Sequence, residues 1–190
     1  MLYLVSGTSR SGKTLIAKKI LADKQIPYLS LDWLMMGFNH GIPEYGIHHL
    51  LWPNEIAKKM WPFLEAMIDS MLVDGMDYVI EGEAMLPQLI ADLIEKHPGE
   101  AKVVFVGYTG IDIEDKVELV KKHRNGENDW LTDEPDEYIR DHIGNMIGYS
   151  KTIKKACEKH GLPYFDTSDD FLAAIEAATD FLVGDLNGRR

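Results

Sequence analysis

The stretch GTSRSGKT at residues 7–14 decides the fold, because it matches the pattern G-x-x-x-x-G-K-[ST] at every fixed position. An apolar run at residues 2–6 precedes it, and the following LIAKKILADK carries apolar residues at helical spacing. In such a strand, turn and helix, backbone N–H groups point inward at the helix N-terminus and cradle phosphate groups. We therefore predict a nucleotide site in which Lys13 bridges the terminal phosphates and Thr14 ligates magnesium. The predicted phosphate site comprises Gly7, Thr8, Ser9, Arg10, Ser11, Gly12, Lys13 and Thr14.

Strand-like and helical runs alternate along the rest of the chain, which indicates an α/β fold. Short apolar runs predict further strands at residues 26–31, 77–80, 101–109 and 162–166. Helical spacing predicts helices at residues 54–73, 86–97, 111–124, 135–160 and 171–183, with Pro62 kinking or dividing the first of them. Residues 37–53 are too irregular for a regular element and indicate a functional loop. The alternation predicts one parallel sheet with helices on both faces.

The composition is typical of one compact domain. The chain has 190 residues, 45% of them hydrophobic, and a formal net charge of -11. An acidic chain with scattered basic residues is a poor match for a protein that coats nucleic acid. The single cysteine, Cys157, allows no internal disulfide, and no apolar run reaches membrane-spanning length. Because the chain enters a strand directly and leaves no room for a signal peptide, we expect a cytoplasmic location.

Carboxylates follow two of the predicted strands. Asp32 ends the second strand in LSLDW, and Glu81 ends the third in YVIEGE. Both should face the crevice at the carboxyl edge of the sheet, beside residues 7–14. We assign Asp32 to acceptor orientation or general-base catalysis, with a helix N-cap as the alternative. Glu81 is assigned to an outer magnesium contact or to the acceptor, and Glu83 either contacts the acceptor or lies in a solvated loop.

GTSRSGKT and the layout of the chain resemble the nucleoside-monophosphate-kinase-like branch of P-loop kinases. This branch includes adenylate and shikimate kinases, chloramphenicol phosphotransferase and zeta toxins. VIEGEAMLP and YIRDHIGNMIGYSKTIKKACEKHGLPYFDTS are also similar to segments of 2-phosphoglycerate kinase. The resemblance implies a three-layer P-loop NTPase fold in a single domain of residues 1–190, with a five-stranded parallel sheet. It also implies an acceptor flap at about residues 37–60 and a lid at about residues 125–134.

The same resemblance implies ATP and Mg2+ as cofactors and assigns roles to particular residues. It places Asp32 near the acceptor, and it makes Arg124 and Arg140, which flank the lid, catalytic together with Lys13. The lid sequence NGENDWLTDEPDE departs from the family pattern, because it is acidic and contains no arginine. Phosphate stabilisation would then rest on Lys13, Arg124, Arg140 and Arg10.

The segment at residues 32–55 indicates what kind of acceptor is used. It contains no lysine or arginine, the residues that suit a phosphate group, so a phosphorylated acceptor is not expected. Its aromatic and methionine residues, Trp33 among them, either form a stacking pocket for the acceptor or pack the flap. Acceptor contacts are assigned to Asp32, Trp33 and Glu83.

The sequence therefore predicts a small-molecule kinase that uses ATP and Mg2+ and acts as a monomer or homodimer. Its partners would be a nucleotide and a small-molecule acceptor, with no nucleic acid and no membrane. Two alternatives stay open. The arginine-free lid favours a nucleotide-binding regulatory module without phosphotransfer, and the family likeness also allows a zeta-toxin-like kinase of sugar nucleotides.

Overall fold

A single parallel sheet lies at the centre of the molecule. The structure is a computed structural model that describes residues 1–124, 129–184 and 186. Within these residues the strands are β1 (Leu2–Gly7), β2 (Tyr28–Ser30), β3 (Tyr78–Gly82), β4 (Ala101–Gly107) and β5 (Tyr164–Asp166). Their spatial order is β2-β3-β1-β4-β5, and each neighbouring pair is parallel. The predicted five-stranded parallel sheet is confirmed.

Helices cover both faces of this sheet. Those described are α1 (Lys13–Lys24), α2 (Leu31–Gly41), α3 (Pro53–Asp74), α4 (Pro87–Lys96), α5 (Ile113–Lys122), α6 (Asp136–His160) and α7 (Phe171–Val183). Helices α3, α4 and α6 contribute to the core on one face, and α1 and α7 contribute to the core on the other. The predicted three-layer α/β architecture is confirmed. None of the described helices is both long enough and apolar enough to span a bilayer.

The central strand β1 explains how the two faces are held together. Leu2 and Leu4 are buried in the core that includes α3 and α4, whereas Tyr3 and Val5 are buried in the core that includes α1 and α7. This division follows from the alternation of side chains along a strand. Because β1 is apolar on both faces, it lies in the middle of the sheet, and the turn that follows it lies at the middle of the carboxyl edge.

Helix α2 is longer than the sequence predicted. Residues 37–41, which were expected to be irregular, continue the helix as far as Gly41. The reason lies in packing: the ring of Phe38 stacks on Tyr45 with centroids 5.1 Å apart and meets Phe63 edge-on at 5.3 Å. These tertiary contacts outweigh the poor helix propensity of the glycines at positions 37 and 41.

The expectation that Pro62 divides its helix into two pieces is wrong, because α3 runs through it without interruption. Several apolar residues of α3 are buried along one face, among them Met60, Leu64 and Ile68. Burial of this face holds the helix together although the proline lacks an N–H donor and crowds the preceding turn. Pro62 itself is exposed.

The predicted flap and lid are only partly described. The flap at residues 37–60 contains the end of α2, a short 3-10 turn at Pro43–Tyr45, a loop in which Ile47 is buried, and the start of α3. Residues 125–128 of the predicted lid lie outside the described residues. In the remainder, Leu131 is fully buried and Asp129 is nearly so. This part of the lid packs into the protein, and closure of the lid stays a prediction.

We predict that Pro62→Ala raises the free energy of unfolding by about 1–3 kcal/mol, because it restores a backbone hydrogen bond inside α3 and removes a steric clash. The gain is partly offset because the alanine chain has more freedom when unfolded. Urea denaturation followed by circular dichroism measures the change. Pro53→Ala is the matched control, since Pro53 occupies the first turn of α3, where proline suits the helix. A lower stability for Pro62→Ala than for the wild type would contradict this account.

Candidate active site

Residues 7–14 connect the end of β1 to the start of α1. At Gly7, where φ is +142°, a Cβ atom would lie only 1.8 Å from the carbonyl oxygen of Val106 in β4. The next residue, Thr8, donates its N–H to that same oxygen at 3.2 Å. Any larger residue at position 7 would therefore push the turn away from β4. The glycine lets the loop bend sharply at the carboxyl edge of the sheet.

Hydroxyl groups hold the interior of the loop. Ser11 donates to the carbonyl of Thr8 at 2.7 Å, and the hydroxyl of Tyr108 donates to the carbonyl of Ser9 at 2.9 Å. The hydroxyls of Thr8 and Ser150 lie 2.9 Å apart, and Ser150 also accepts the N–H of Tyr108 at 3.1 Å. The sequence analysis missed Ser150. A signal existed, because Ser150 is a polar residue on the otherwise apolar buried face of α6.

Lys13 is the buried cation of the site. Its residue surface is 7% exposed, and its amine donates to the carbonyl of Thr8 at 2.7 Å. The amine also lies 3.4 Å from Oε1 of Glu83. A buried ammonium needs such acceptors, since its charge is costly to remove from water. The structure thus joins two residues that the sequence analysis assigned to different roles, the phosphate-binding lysine and an acceptor contact.

Two glutamates converge on this end of the sheet. Glu81, in β3, is buried and accepts a hydrogen bond from the hydroxyl of Thr14 at 3.3 Å. Burial raises the pKa of Glu81, while the charge of Lys13 opposes the rise. Burial also raises the pKa of Glu83, again opposed by Lys13. Both carboxylates are therefore held in surroundings that favour a bound cation or a proton.

Asp32 lies close to both glutamates. Its negative charge helps to raise the pKa of Glu81 and of Glu83. It is exposed in the first turn of α2, and Ser30 occupies the N-cap position of that helix, so Asp32 is not the cap. The approach depends on Gly82, where a Cβ atom would lie 2.6 Å from Cβ of Leu31. The missing side chain lets the start of α2 lie directly against the end of β3.

The oxygen atoms of Thr14 and Glu81 suit magnesium. Mg2+ prefers carboxylate, hydroxyl and phosphate oxygens and keeps few protein ligands when it binds with a nucleotide. Thr14 is exposed and its hydroxyl is already 3.3 Å from a Glu81 oxygen, so the two residues are able to share a cation. Among the described residues, no group of three or more histidine, cysteine or acidic side chains is arranged to hold a metal ion alone.

Comparisons with known proteins agree with this geometry at the level of the fold. No protein-family model matches the chain, and no curated protein matches it either. Among solved structures, a gluconokinase from Sinorhizobium meliloti 1021 superposes with a TM-score of 0.59 at 20% identity, covering 97% of this chain and 93% of the gluconokinase. A sugar kinase from Janibacter sp. HTCC2649 superposes with a TM-score of 0.52 at 16% identity, covering 95% and 92% of the two chains. The chain has the fold of these kinases. The predicted P-loop NTPase fold is confirmed, and residues 7–14, which join β1 to α1, are named the P-loop after it.

Arg10 of the P-loop is engaged by the segment that follows residues 125–128. Its guanidinium forms two hydrogen bonds with the carboxylate of Asp129, one of them 2.9 Å from Nη1 to Oδ2, and lies 5.6 Å from the ring centre of Trp130. The carbonyl of Arg10 accepts a bond from the buried amine of Lys116 at 3.0 Å. Burial lowers the pKa of Lys116 to about 8, and the nearby charge of Arg10 adds to this effect. The sequence did not predict these contacts of Arg10 with Asp129, Trp130 and Lys116.

The two arginines predicted to flank the lid form pairs on the surface. Arg124 donates to Asp133 at 2.9 Å, and Arg140 donates to Glu114 at 2.7 Å. The described contacts join neither arginine to the P-loop, so their catalytic roles stay predictions. Trp33 is 63% exposed and its ring lies 6.1 Å from that of Tyr28. Its described contact is therefore with the start of β2 and not with the carboxylates, and its role at the acceptor also stays a prediction.

We predict that Asp129→Asn lowers the free energy of unfolding by about 3 kcal/mol, because it leaves the largely buried Arg10 without its counter-charge. Asparagine keeps an oxygen that accepts the N–H groups of Leu131 and Thr132, as Asp129 does at 3.1 and 3.2 Å. The substitution therefore keeps these two hydrogen bonds and removes the negative charge. Urea denaturation measures the loss.

Asp133→Asn is the matched control, since Asp133 pairs with Arg124 at a site where both side chains are about half exposed. A surface pair of this kind contributes at most about 1 kcal/mol. If Asp129→Asn and Asp133→Asn lower the free energy of unfolding equally, the pair with Arg10 stabilises the fold no more than the surface pair does.

Proposed function

We propose that this protein is a kinase that transfers the terminal phosphate of ATP, with Mg2+, to a hydroxyl group of a small molecule. The position of Lys13 carries the proposal, since its amine lies 2.7 Å from the P-loop carbonyl of Thr8 and 3.4 Å from Glu83. A lysine in this motif contacts the outer phosphates of a nucleotide. The phosphate to be transferred would then lie beside the carboxylates of β3 and α2, where an acceptor is able to be positioned.

Each residue of the site has its own role in the proposed reaction. Lys13 holds the outer phosphates, while Thr14 and Glu81 hold magnesium, which when bound neutralises phosphate charge. Asp32 accepts a hydrogen bond from the acceptor hydroxyl and takes its proton as the acceptor oxygen bonds to the terminal phosphorus of ATP. The bond from that phosphorus to the bridging oxygen breaks, and ADP leaves. Its exposure at the start of α2 leaves it open to a small molecule. Arg124 and Arg140 stabilise the transferred phosphoryl group if the lid closes over the site.

Two observations support an acceptor that is small and not phosphorylated. The chain lacks lysine and arginine between residues 32 and 55, which include most of the predicted flap. The solved structures with the same fold include a gluconokinase and a sugar kinase, so this fold serves kinases of small molecules. The acceptor site itself is argued from side chains and not from the fold.

A second candidate function is nucleotide binding without phosphotransfer, in a regulatory module. The arrangement of the arginines favours it. Arg10 is held by Asp129, Arg124 by Asp133, and Arg140 by Glu114. A kinase needs cations at the transferred phosphate, and these three must leave their partners to reach it. A broad panel of hydroxyl compounds separates the two functions: ATP binding without any phosphorylated product supports the regulatory module.

We predict that Asp32→Asn lowers kcat by about 100-fold or more, because the acceptor loses its proton acceptor, while affinity for ATP changes little. Release of ADP with the best acceptor of the panel measures kcat, and calorimetry measures ATP binding. Asp92→Asn, an equal change of charge on the exposed side of α4, serves as the control and should match the wild type. Full activity of Asp32→Asn would exclude the role given to Asp32.

We also predict that Thr14→Ala raises the Mg2+ concentration needed for half-maximal ADP release by about tenfold or more, because one hydroxyl ligand is lost. Thr14→Ser keeps the hydroxyl and should behave like the wild type. A magnesium titration of all three proteins decides the point. An unchanged requirement in Thr14→Ala would remove Thr14 from the magnesium site.

A further inference from the structure

We infer that the acceptor is a polyhydroxy compound that carries no negative charge, either neutral or amine-bearing, and that it donates hydrogen bonds to Asp32 and Glu83. This inference rests on the proposed kinase function and specifies the substrate class of the same site. The proposed function excludes an acceptor that carries a phosphate group, and this inference also excludes an acceptor that carries a carboxylate.

Acidic side chains lie near the ammonium group of Lys13. In the β2–β3 register Ser30 pairs with Glu81, and Leu31 lies against Gly82. The residues that follow, Asp32 and Glu83, therefore lie near each other and near Glu81, and the charges of the three carboxylates act on one another. Lys13 is the cation that the described contacts place among them, 3.4 Å from Glu83. The acceptor side of the site therefore has an excess of negative charge before any ligand binds.

Binding of ATP would change this distribution of charge. When the outer phosphates contact the ammonium of Lys13, they compete with Glu83 for its positive charge. Magnesium held by Thr14 and Glu81 is likewise shared with phosphate oxygens, which are themselves negative. Asp32 and Glu83 are then left facing the acceptor without a cation of their own. An acceptor carboxylate would add a further like charge at short range.

Other basic side chains of the P-loop, the helices and the flap have contacts of their own. Arg10 is bound to Asp129, and Arg140 is bound to Glu114. The amine of Lys59 lies beside Gly46, in the loop beyond the end of α2. None of these described contacts joins a cation to Asp32 or Glu83, so they provide no basic subsite for an acidic acceptor.

The carboxylates of Asp32 and Glu83 determine which acceptor groups fit the site. An ionised carboxylate only accepts hydrogen bonds, and hydroxyl and ammonium groups donate them. Asp32 is exposed, and the side chain of Glu83 is 25% exposed, so both are open to a small molecule.

Two matched sets of compounds test the inference, because their members share a carbon skeleton and differ in charge. The first set is gluconate, glucitol and 1-amino-1-deoxyglucitol, which differ at C1, and the second is glucuronate, glucose and 6-amino-6-deoxyglucose, which differ at C6. Release of ADP from ATP with Mg2+ gives kcat/KM for each compound. We expect kcat/KM of the acid to be at least about tenfold below that of the better of its two partners. An acid that equals or exceeds its partners would overturn the inference.

Charge variants of the protein provide the second arm. Glu83→Gln should lower the ratio of kcat/KM for the amine to that for the acid by about tenfold, since one repulsive charge is removed. Asp32→Asn should shift the same ratio in the same direction, measured on its remaining activity, and it changes an exposed residue. Glu95→Gln, on the exposed side of α4, makes the same charge change elsewhere and should leave the ratio unaltered. An unaltered ratio in both site variants would overturn the inference.

The failure of this inference is distinguishable from the failure of the proposed function. If the protein binds ATP with Mg2+ and phosphorylates another compound but no member of either set, the polyhydroxy acceptor is excluded and the kinase function stands. If it prefers the acids and Lys59→Ala abolishes that preference, a basic subsite on α3 replaces the one proposed. If ATP does not bind at all, the proposed function itself falls.

Discussion

The buried ammonium group of Lys13 is the interaction on which the candidate site depends. The ammonium of a lysine residue that is only 7% exposed requires acceptors in the protein, and it has them in the carbonyl of Thr8 and the carboxylate of Glu83. Thr8 belongs to the P-loop after β1, whereas Glu83 follows β3. The pairing therefore fixes the P-loop against the neighbouring strand. It places the P-loop and the acidic groups in one crevice at the carboxyl edge of the sheet.

Close backbone contacts make this pairing possible. Gly7 lets the P-loop lie against Val106, and Gly82 lets the start of α2 lie against the end of β3. As a result, Asp32 reaches the two glutamates, and three carboxylates share a region with one lysine. Such a region is unfavourable when empty and becomes more favourable when magnesium and donor groups of an acceptor enter it. The electrostatic arrangement thus links the binding of the nucleotide to the chemistry proposed for the acceptor.

Local patterns predicted the parts of the site that lie within one segment of the chain. GTSRSGKT specified the P-loop, and the apolar runs before Asp32 and Glu81 predicted that both carboxylates lie at strand ends. Contacts between distant segments had no comparable signal. Asp129 meets Arg10 across 119 positions of the chain, and Ser150 meets Thr8 across 142. No spacing rule identifies such partners from one sequence, because they depend on how α6 and the lid segment pack on the P-loop. Similarly, α2 continues through two glycines because Phe38 packs on Tyr45, a contact that propensity alone does not reveal.

Calorimetric titration of ATP with Mg2+ into the wild-type protein and into Lys13→Ala is the most direct test of the central claim. The account predicts one ATP bound per wild-type chain and a large loss of affinity in Lys13→Ala, with both proteins equally folded by circular dichroism. Absence of binding to the wild type, or equal affinity in the two proteins, would contradict it.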